Sequence, residues 1–269
     1  NQGSYAMHTG ISPDDGDFDI DVGLRFAVDK EDYPDPTVLK KWVRDALDGH
    51  TKSVEIRKPC VTVKYQRDGE SIYHVDFAIY AAGNADGKLY LACGKEFSEA
   101  DNKFWEESDP LELIRLVREK FEGTDAQQFR RVIRYLKKWK SQKFDSNGHA
   151  APTGISLTVL AYNLFSPNYT VDVFKNGARA YNDFAALRSL VKSIRQKFVM
   201  VLDENNNICY SIRVNILTPP HNDLFEKMTL NQKTAFYNEV VKMDDILDKV
   251  ADKIANNKPL SEQCELLQD

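Results

Sequence analysis

The sequence predicts an α+β fold of two lobes, the first a mixed sheet with helices and the second mostly helical. Two observations support this prediction. Before residue 94, several runs alternate apolar and polar residues, which is the period of a β-strand. Beyond Asp109-Pro110 the apolar residues recur at the spacing of amphipathic helices. We therefore predict one domain at residues 1–108 and a second, helical domain with a small late hairpin at residues 109–269.

The composition of the 269-residue chain is typical of a globular protein, with 42% hydrophobic and 29% charged residues. No stretch approaches the roughly 18 consecutive apolar residues of a membrane span, and we expect no secretion signal before the first folded segment. The 4 cysteines lie far apart without a Cys-x-x-Cys pair, which argues against disulfides or structural zinc. The net charge of -5 argues against a surface for nonspecific nucleic-acid binding. These observations favour a cytoplasmic protein.

The first predicted strand has a face of carboxylates. Residues 18–24 read Phe-Asp-Ile-Asp-Val-Gly-Leu, so the apolar side chains share one face while Asp19 and Asp21 share the other. A helix is predicted next, with Asp35 as its N-cap and Pro36 at the first helical position, running to residue 48.

Three further strands are predicted, with turn residues between them. They cover residues 60–66, 71–80 and 88–93. In the second of these strands Val75 and Phe77 share one face, so Asp76 lies on the opposite face. A third carboxylate therefore follows the same alternation as the first two.

The second domain is predicted as a series of amphipathic helices followed by one hairpin. The helices cover residues 111–121, 125–143 capped by Asp125, 154–165, 182–197 capped by Asn182, and 231–255 in two pieces. The hairpin joins residues 198–202 to residues 208–214.

Paired acids two residues apart on a strand project side by side, and a third acid from another strand can converge on them. Such a group of oxygen ligands suits Mg²⁺ or Mn²⁺. Two ions about 4 Å apart would activate an attacking hydroxyl and stabilise the leaving oxygens of a triphosphate. A bare Asp-x-Asp is more often the solvent face of an edge strand, so the interpretation depends on the surrounding sequence.

Three features of the surrounding sequence indicate phosphate binding. Gly3-Ser4 lets backbone amides approach a phosphate, although such a pair is more often a simple turn. Residues 126–144 carry seven basic residues, Lys137 among them, and no acid, although a solvated basic face would look the same. Thr153 to Ser156 begins a helix, where free N–H groups favour an anion, although either side chain could serve only as a cap.

Other chemistries lack support in the sequence. The segment 83–89 has three residues between its glycines instead of four and ends in Leu89, so it is a turn rather than a phosphate-binding P-loop. No His-Glu-x-x-His, Gly-x-Ser-x-Gly or Gly-x-Gly-x-x-Gly motif is present. The 5 histidines are isolated in the sequence, and we expect them to be surface or packing residues.

The order of these motifs resembles the signature of the polymerase-β-type nucleotidyltransferases. In that signature a Gly-Ser turn precedes an acid-x-acid strand, and a third acid follows several dozen residues later. The motifs here are Gln2-Gly3-Ser4-Tyr5, Thr9, Asp19-Ile20-Asp21 and Asp76. Together with the Arg-Tyr-Leu-Lys-Lys-Trp helix and the serine-bearing helix that follows, they resemble the bacterial cGAS/DncV-like nucleotidyltransferases (CD-NTases) of CBASS anti-phage systems.

The resemblance implies a polymerase-β-like core whose active site lies in the cleft between the two lobes. It implies catalytic and metal-binding roles for Asp19, Asp21 and Asp76, with two Mg²⁺ or Mn²⁺ ions. It also implies nucleotide and phosphate contacts from Gly3, Ser4, Lys137 and Ser156. Eukaryotic relatives have an aromatic residue after the matching serine where this chain has Leu157. The family has a long helix before the Gly-Ser turn, and we expect this helix to precede the first residue of the given sequence.

The function implied by the resemblance is synthesis of a cyclic di- or trinucleotide second messenger from NTPs, with release of pyrophosphate. ATP and GTP are the first candidates as substrates, and pyrimidine NTPs are further ones. The family also suggests an operon-encoded regulator as partner. No Cys/His cluster matches the zinc element with which eukaryotic relatives sense DNA, so double-stranded DNA sensing is not predicted.

Two alternatives remain at this point. The same three carboxylates would serve a nucleotidyltransferase with another acceptor, such as an RNA end, a linear oligoadenylate, a small molecule or a protein. The chain could also be a catalytically silent nucleotide-binding module, although such a module would have no need for three metal ligands.

Overall fold

A computed structural model describes residues 1–12, 18–51, 53–67, 70–144, 150–174 and 176–265. The predicted turn between the second and third strands includes positions 68 and 69, which lie outside the described residues. The chain divides into two compact units. Unit 1 comprises Asn1–Glu119 and Leu217–His221, and unit 2 comprises Lys120–Ile216 and Asn222–Asp269. Unit 1 thus extends past residue 108, because the helix that follows this position packs against the first helix of the chain.

In the described part of unit 1, six strands form one mixed sheet. They are β1 (Phe18–Phe26), β2 (Ser53–Ile56), β3 (Val61–Arg67), β4 (Glu70–Ala81), β5 (Tyr90–Cys93) and β6 (Phe104–Glu107). The order is β2-β3-β4-β5-β6, and every pair along it is antiparallel, whereas β1 pairs with β4 in parallel. The predicted mixed sheet is confirmed. The strands β2 and β6 were not predicted.

One face of the sheet is covered by helix α2 (Thr37–Ala46). The predicted helix is present but its bounds differ: Pro36 occupies the N-cap position instead of Asp35, and the helix ends at Ala46 rather than at residue 48. Asp35 still satisfies a free N–H group of the first turn, because its Oδ1 accepts a hydrogen bond from Thr37 N over 2.9 Å. The alternation of the strands directs apolar side chains toward α2 and the carboxylates of β1 and β4 toward the other face. The buried core on the α2 side consists of Leu39, Val43, Val61, Ile79 and Ala92.

Lys40 of α2 is fully buried at 0% exposure. Its ammonium group donates hydrogen bonds to three backbone carbonyl oxygens, those of Arg57 at 2.8 Å, Lys58 at 2.6 Å and Gly94 at 2.9 Å. Burial lowers the pKa of Lys40 to about 8. This lysine therefore joins α2 to the connection between β2 and β3 and to the residue that follows β5.

Two helices complete unit 1. The short helix α1 (Gly3–Ala6) packs on β1, and α3 (Pro110–Glu119) begins where Asp109 Oδ1 accepts a hydrogen bond from Glu112 N over 2.9 Å. None of the helices in the described residues is both long and apolar enough to cross a membrane.

Unit 2 is mostly helical, as predicted. Its helices are α4 (Gly123–Lys143), α5 (Gly154–Leu164), α6 (Asp183–Arg195), α7 (Leu230–Ala255) and α8 (Leu260–Glu265). Two hairpins accompany them, β7 (Tyr169–Asp172) with β8 (Ala178–Tyr181) and β9 (Val199–Leu202) with β10 (Ile208–Ser211). The second hairpin and the Asn182 cap of α6 are confirmed, whereas the first hairpin was not predicted.

Two helix predictions in unit 2 are wrong. Glu122 occupies the N-cap position of α4, and Asp125 lies inside the helix, where its carboxylate accepts a hydrogen bond from the Tyr181 hydroxyl. Helix α7 is one continuous helix rather than two pieces. It begins with a capping box between Thr229 and Gln232 and buries residues along its whole length.

Candidate active site

The carboxylates of β1 and β4 are brought together by the parallel pairing of these strands. Asp19 lies opposite His74 in the register, and Asp21 lies opposite Asp76. Partners in a sheet point to the same face, so all four side chains share the face that α2 does not cover. The sheet thereby brings Asp76 to the same surface as Asp19 and Asp21, from which the sequence separates it by more than fifty residues.

Asp19, His74 and Asp76 form a compact cluster. One possible ligand atom from each residue lies within 4.8 Å of those of the other two. His74 Nε2 is 3.4 Å from Asp19 Oδ1. His74, for which we expected a surface or packing role, therefore lies beside two of the predicted carboxylates. The alternation within β4 placed His74 on the face of Asp76, but no local pattern indicated that Asp19 would be its neighbour.

A hydroxyl from the adjacent strand contacts Asp76. Thr62 of β3 pairs with Asp76 in the antiparallel register, and its hydroxyl donates a hydrogen bond to Asp76 Oδ1 over 2.5 Å. Cys60 Sγ lies 3.6 Å from Thr62 Oγ1, and burial raises the pKa of the Cys60 thiol to about 11. Neither Thr62 nor Cys60 was singled out in the sequence as part of a site.

Gly3 lies in contact with Asp21. It has φ of 65°, and a Cβ at this position would stand 1.7 Å from Asp21 Oδ2. The backbone is held there by a hydrogen bond from Gln2 N to Asp21 O over 3.0 Å. Ser4 follows in the first turn of α1, and its carbonyl accepts a hydrogen bond from Thr9 N over 3.0 Å. The predicted Gly-Ser turn thus adjoins the predicted carboxylates in space.

A second contact fixes the segment before Gly3. The Tyr80 hydroxyl donates a hydrogen bond to Gln2 Oε1 over 3.2 Å, and a Cβ at Gly23 would stand 2.8 Å from the same oxygen. Burial raises the pKa of Tyr80 to about 12, so the phenol remains a donor at neutral pH. The backbone of β1 and the Tyr80 side chain of β4 therefore position the segment before α1.

In unit 2, the two predicted phosphate contacts meet at the start of α5. Thr153 caps this helix by accepting a hydrogen bond from Ser156 N, and the Ser156 hydroxyl donates to Thr153 O over 2.7 Å. Lys137 of α4 is 7% exposed, and its side chain passes over Gly154, where a Cβ would stand 3.9 Å from Nζ. An ammonium group thus lies beside a helix N-terminus, which is an arrangement that favours anions.

Residues 1–80 match a protein family described as cyclic GMP-AMP synthase DncV-like, nucleotidyltransferase domain. Through these residues the chain is similar to the DncV-like nucleotidyltransferases. The matched range includes Gly3, Ser4 and all three predicted carboxylates. Lys137 and Ser156 lie beyond it.

Individual relatives agree with this family. The chain is 28% identical over 169 residues to the cyclic GMP-AMP synthase of Escherichia albertii, a match that covers 59% of this chain and only 35% of that relative. Its fold is similar to the Vibrio cholerae DncV cyclic AMP-GMP synthase in complex with nonhydrolyzable GTP, with a TM-score of 0.68 and 17% identity over 99% of this chain and 66% of that one.

A further structure with the same fold is the Bradyrhizobium diazoefficiens CD-NTase CdnG in complex with GTP. The TM-score is 0.62 and the identity 11%, over 93% of this chain and 77% of CdnG. The predicted α+β, two-lobed, polymerase-β-like fold is confirmed by these similarities.

The possible ligand atoms of this cluster fit a divalent cation. Asp19 and Asp76 offer carboxylate oxygens within the 4.8 Å cluster, and Asp21 adds a third carboxylate next to Asp76 in the register. Carboxylate oxygens are the ligands that Mg²⁺ and Mn²⁺ prefer. The cluster can therefore hold an ion of this class.

Proposed function

We propose that the protein joins nucleoside triphosphates with release of pyrophosphate and closes the product into a cyclic di- or trinucleotide. The observation that carries this proposal is the parallel register of β1 and β4, which sets Asp21 beside Asp76 and Asp19 beside His74. The match of residues 1–80 to the DncV-like nucleotidyltransferase domain supports it. The alternative of a silent nucleotide-binding module gains no support from a face on which the three acids converge.

In this proposal the carboxylates of Asp19, Asp21 and Asp76 hold two Mg²⁺ or Mn²⁺ ions. Such ions, when bound, supply positive charge to the triphosphate and lower the pKa of the attacking hydroxyl. Asp76 also accepts the proton of the acceptor ribose hydroxyl. That oxygen then forms a bond to the α-phosphorus of the donor as the bond to pyrophosphate breaks. A second transfer of the same kind closes the ring.

The remaining predicted residues are proposed to bind the triphosphate. At Gly3 the absence of a side chain leaves the backbone accessible next to Asp21, and the Ser4 hydroxyl offers a donor. Lys137 supplies a point charge for the β- and γ-phosphates, together with the N-terminus of α5 at Ser156. ATP and GTP are proposed as the first substrates, since DncV and CdnG were each solved with a guanine nucleotide.

The proposed cellular role is production of a cyclic nucleotide signal in anti-phage defence in the bacterial cytoplasm. An operon-encoded regulator would control such an enzyme. Both parts of this proposal rest on the family and on the absence of a predicted zinc element for DNA sensing.

The test is incubation of the protein with each α-³²P-labelled NTP, alone and in pairs, with Mg²⁺ or Mn²⁺, followed by phosphatase. The Asp19→Asn/Asp21→Asn double variant removes two proposed ligands while keeping similar side-chain volumes. Asp45→Asn is the matched control, because Asp45 is a solvent-exposed acid of α2. We expect a phosphatase-resistant product from the wild type and from the control, and none from the double variant.

Nuclease digestion and mass spectrometry then identify the bases and the ring size. A phosphatase-sensitive linear product would contradict cyclisation and indicate a transferase that extends an acceptor. Failure to form any product, with every NTP pair and both metal ions, would contradict constitutive synthesis.

A further inference from the structure

Thr62 holds Asp76 from the neighbouring strand. The two residues are paired across β3 and β4, and the Thr62 hydroxyl donates to Asp76 Oδ1 over 2.5 Å. Thr62 is completely buried, at 0% exposure. Hydrogen bonds to an ionised carboxylate are shorter and roughly twice as strong as neutral ones. This hydrogen bond therefore restricts the rotation of the Asp76 carboxylate.

The single hydroxyl hydrogen of Thr62 determines which atoms are donors and which are acceptors in the contacts around it. A threonine hydroxyl has one hydrogen, which Thr62 gives to Asp76. The contact of 3.6 Å between Cys60 Sγ and Thr62 Oγ1 consequently has the thiol as donor. The result is a chain of hydrogen bonds from Cys60, just before β3, through Thr62 of β3 to Asp76 of β4.

The side chain of Thr62 is rigid for two reasons. A β-branched residue in a strand has few χ1 rotamers, and complete burial removes the space to change between them. With Oδ1 of Asp76 bound to this hydroxyl, the second oxygen, Oδ2, is directed by the same contact. Groups that orient a ligand in this manner usually contribute to metal affinity without touching the metal.

We propose that Thr62 is a positioning residue, which fixes the orientation of the Asp76 carboxylate for divalent-ion binding and for accepting the proton of the acceptor hydroxyl. This inference rests on the proposed function. It adds to the three acids one further requirement, a hydroxyl group on the strand next to that of the third acid.

The test compares Thr62→Val, which keeps the shape and removes the hydroxyl, with Thr62→Ser, which keeps the hydroxyl. Thr37→Val is the matched control. Thr37 is also 0% exposed, and its hydroxyl donates to Asp35 Oδ1 over 2.6 Å, but it lies at the start of α2. Thermal unfolding of each variant confirms that the protein is folded before the other measurements are made.

The first readout is Mn²⁺ affinity, measured by electron paramagnetic resonance without nucleotide. We expect Thr62→Val to bind Mn²⁺ about 10- to 100-fold more weakly, as for other residues that orient metal ligands. Thr62→Ser should bind close to the wild-type level, and Thr37→Val should be unchanged. The second readout is the Mn²⁺ concentration that gives half-maximal product formation, which should rise in Thr62→Val by a similar factor.

Two outcomes would overturn the inference alone: a folded Thr62→Val that binds Mn²⁺ like the active wild type, or a Thr62→Ser that is as weak as Thr62→Val. A wild-type protein that neither binds Mn²⁺ nor forms product would overturn the proposed function, and the inference with it. The wild-type measurements thus separate the two failures.

Discussion

The carboxylate of Asp21 lies against the backbone of Gly3, so closely that a Cβ at position 3 would stand 1.7 Å from Oδ2. The same glycine has φ of 65°, in the left-handed region that side chains disfavour. Two separate constraints thus act on one residue. The first is the approach of a proposed metal ligand, and the second is the conformation of the turn.

Gly3→Ala should displace Asp21 and reduce product formation by about 100-fold, since a shift of roughly 1 Å at a reacting centre costs this much. Gly49→Ala separates the two constraints, because Gly49 has φ of 75° but no atom within 4 Å of a Cβ. Gly49→Ala should lower the free energy of unfolding by about 1 kcal/mol, because a residue with a Cβ is strained at this φ, and should keep its activity. Equal activities of the two folded variants would contradict the role of the Gly3 contact.

His74→Asn should lower kcat/KM by about 10-fold, because residues that contact metal ligands commonly contribute at this level. His74 makes such a contact, because its Nε2 lies 3.4 Å from Oδ1 of the proposed metal ligand Asp19. His50→Asn is the control, since His50 packs edge-on against Tyr65, with ring centroids 6.0 Å apart. Steady-state kinetics at fixed Mn²⁺ checks the prediction, and an unchanged His74→Asn would show that the cluster functions without the imidazole.

Lys40 should make stability depend on pH in the alkaline range. Its pKa is about 8 in the folded protein and 10.5 for an unperturbed lysine, so between these values the unfolded chain binds more protons. The free energy of unfolding therefore rises with pH across this window, by at most about 3 kcal/mol.

The measurement is urea unfolding at several pH values from 7 to 11, for the wild type, Lys40→Met and the neighbouring Lys41→Met. The rise attributed to Lys40 should be present in the wild type and in Lys41→Met, and missing from Lys40→Met. Parallel curves for all three proteins would show that Lys40 keeps an ordinary pKa.

Lys137→Met should raise the KM for the NTP by about 10- to 100-fold, which corresponds to the loss of one hydrogen bond to a charged group. The 7% exposed Lys137 lies beside Gly154 at the start of α5. Lys143→Met removes a lysine from the exposed end of the same helix and should leave KM unchanged. Identical KM values for the two variants would exclude Lys137 from phosphate binding.

Much of the fold follows from local patterns in the sequence. The alternation in residues 18–24 determines that Asp19 and Asp21 share a face, because successive side chains of any strand point in opposite directions. Asn182 caps α6 because a short polar side chain at that position satisfies a free N–H group. Asp125 is also a short polar residue near the start of a helix, but it lies inside α4, which begins two residues earlier at Gly123.

The pairing of strands that are distant in the sequence could not be predicted from local patterns. Alternation predicts the face of Asp76 but not its register with Asp21, and a slip by one residue would turn it to the opposite face. The contacts of His74 with Asp19 and of Thr62 with Asp76 depend on the same pairing.

By itself, the sequence determined the α+β class, the carboxylate face of β1 and the motif order that resembles the nucleotidyltransferases. Only the tertiary structure decided which groups surround those carboxylates, as well as the burial of Lys40 against three carbonyl oxygens. The physical reason is that periodicity and capping are properties of neighbouring residues. Register and burial depend instead on residues far apart in the chain, whose contacts form only when the whole sheet assembles.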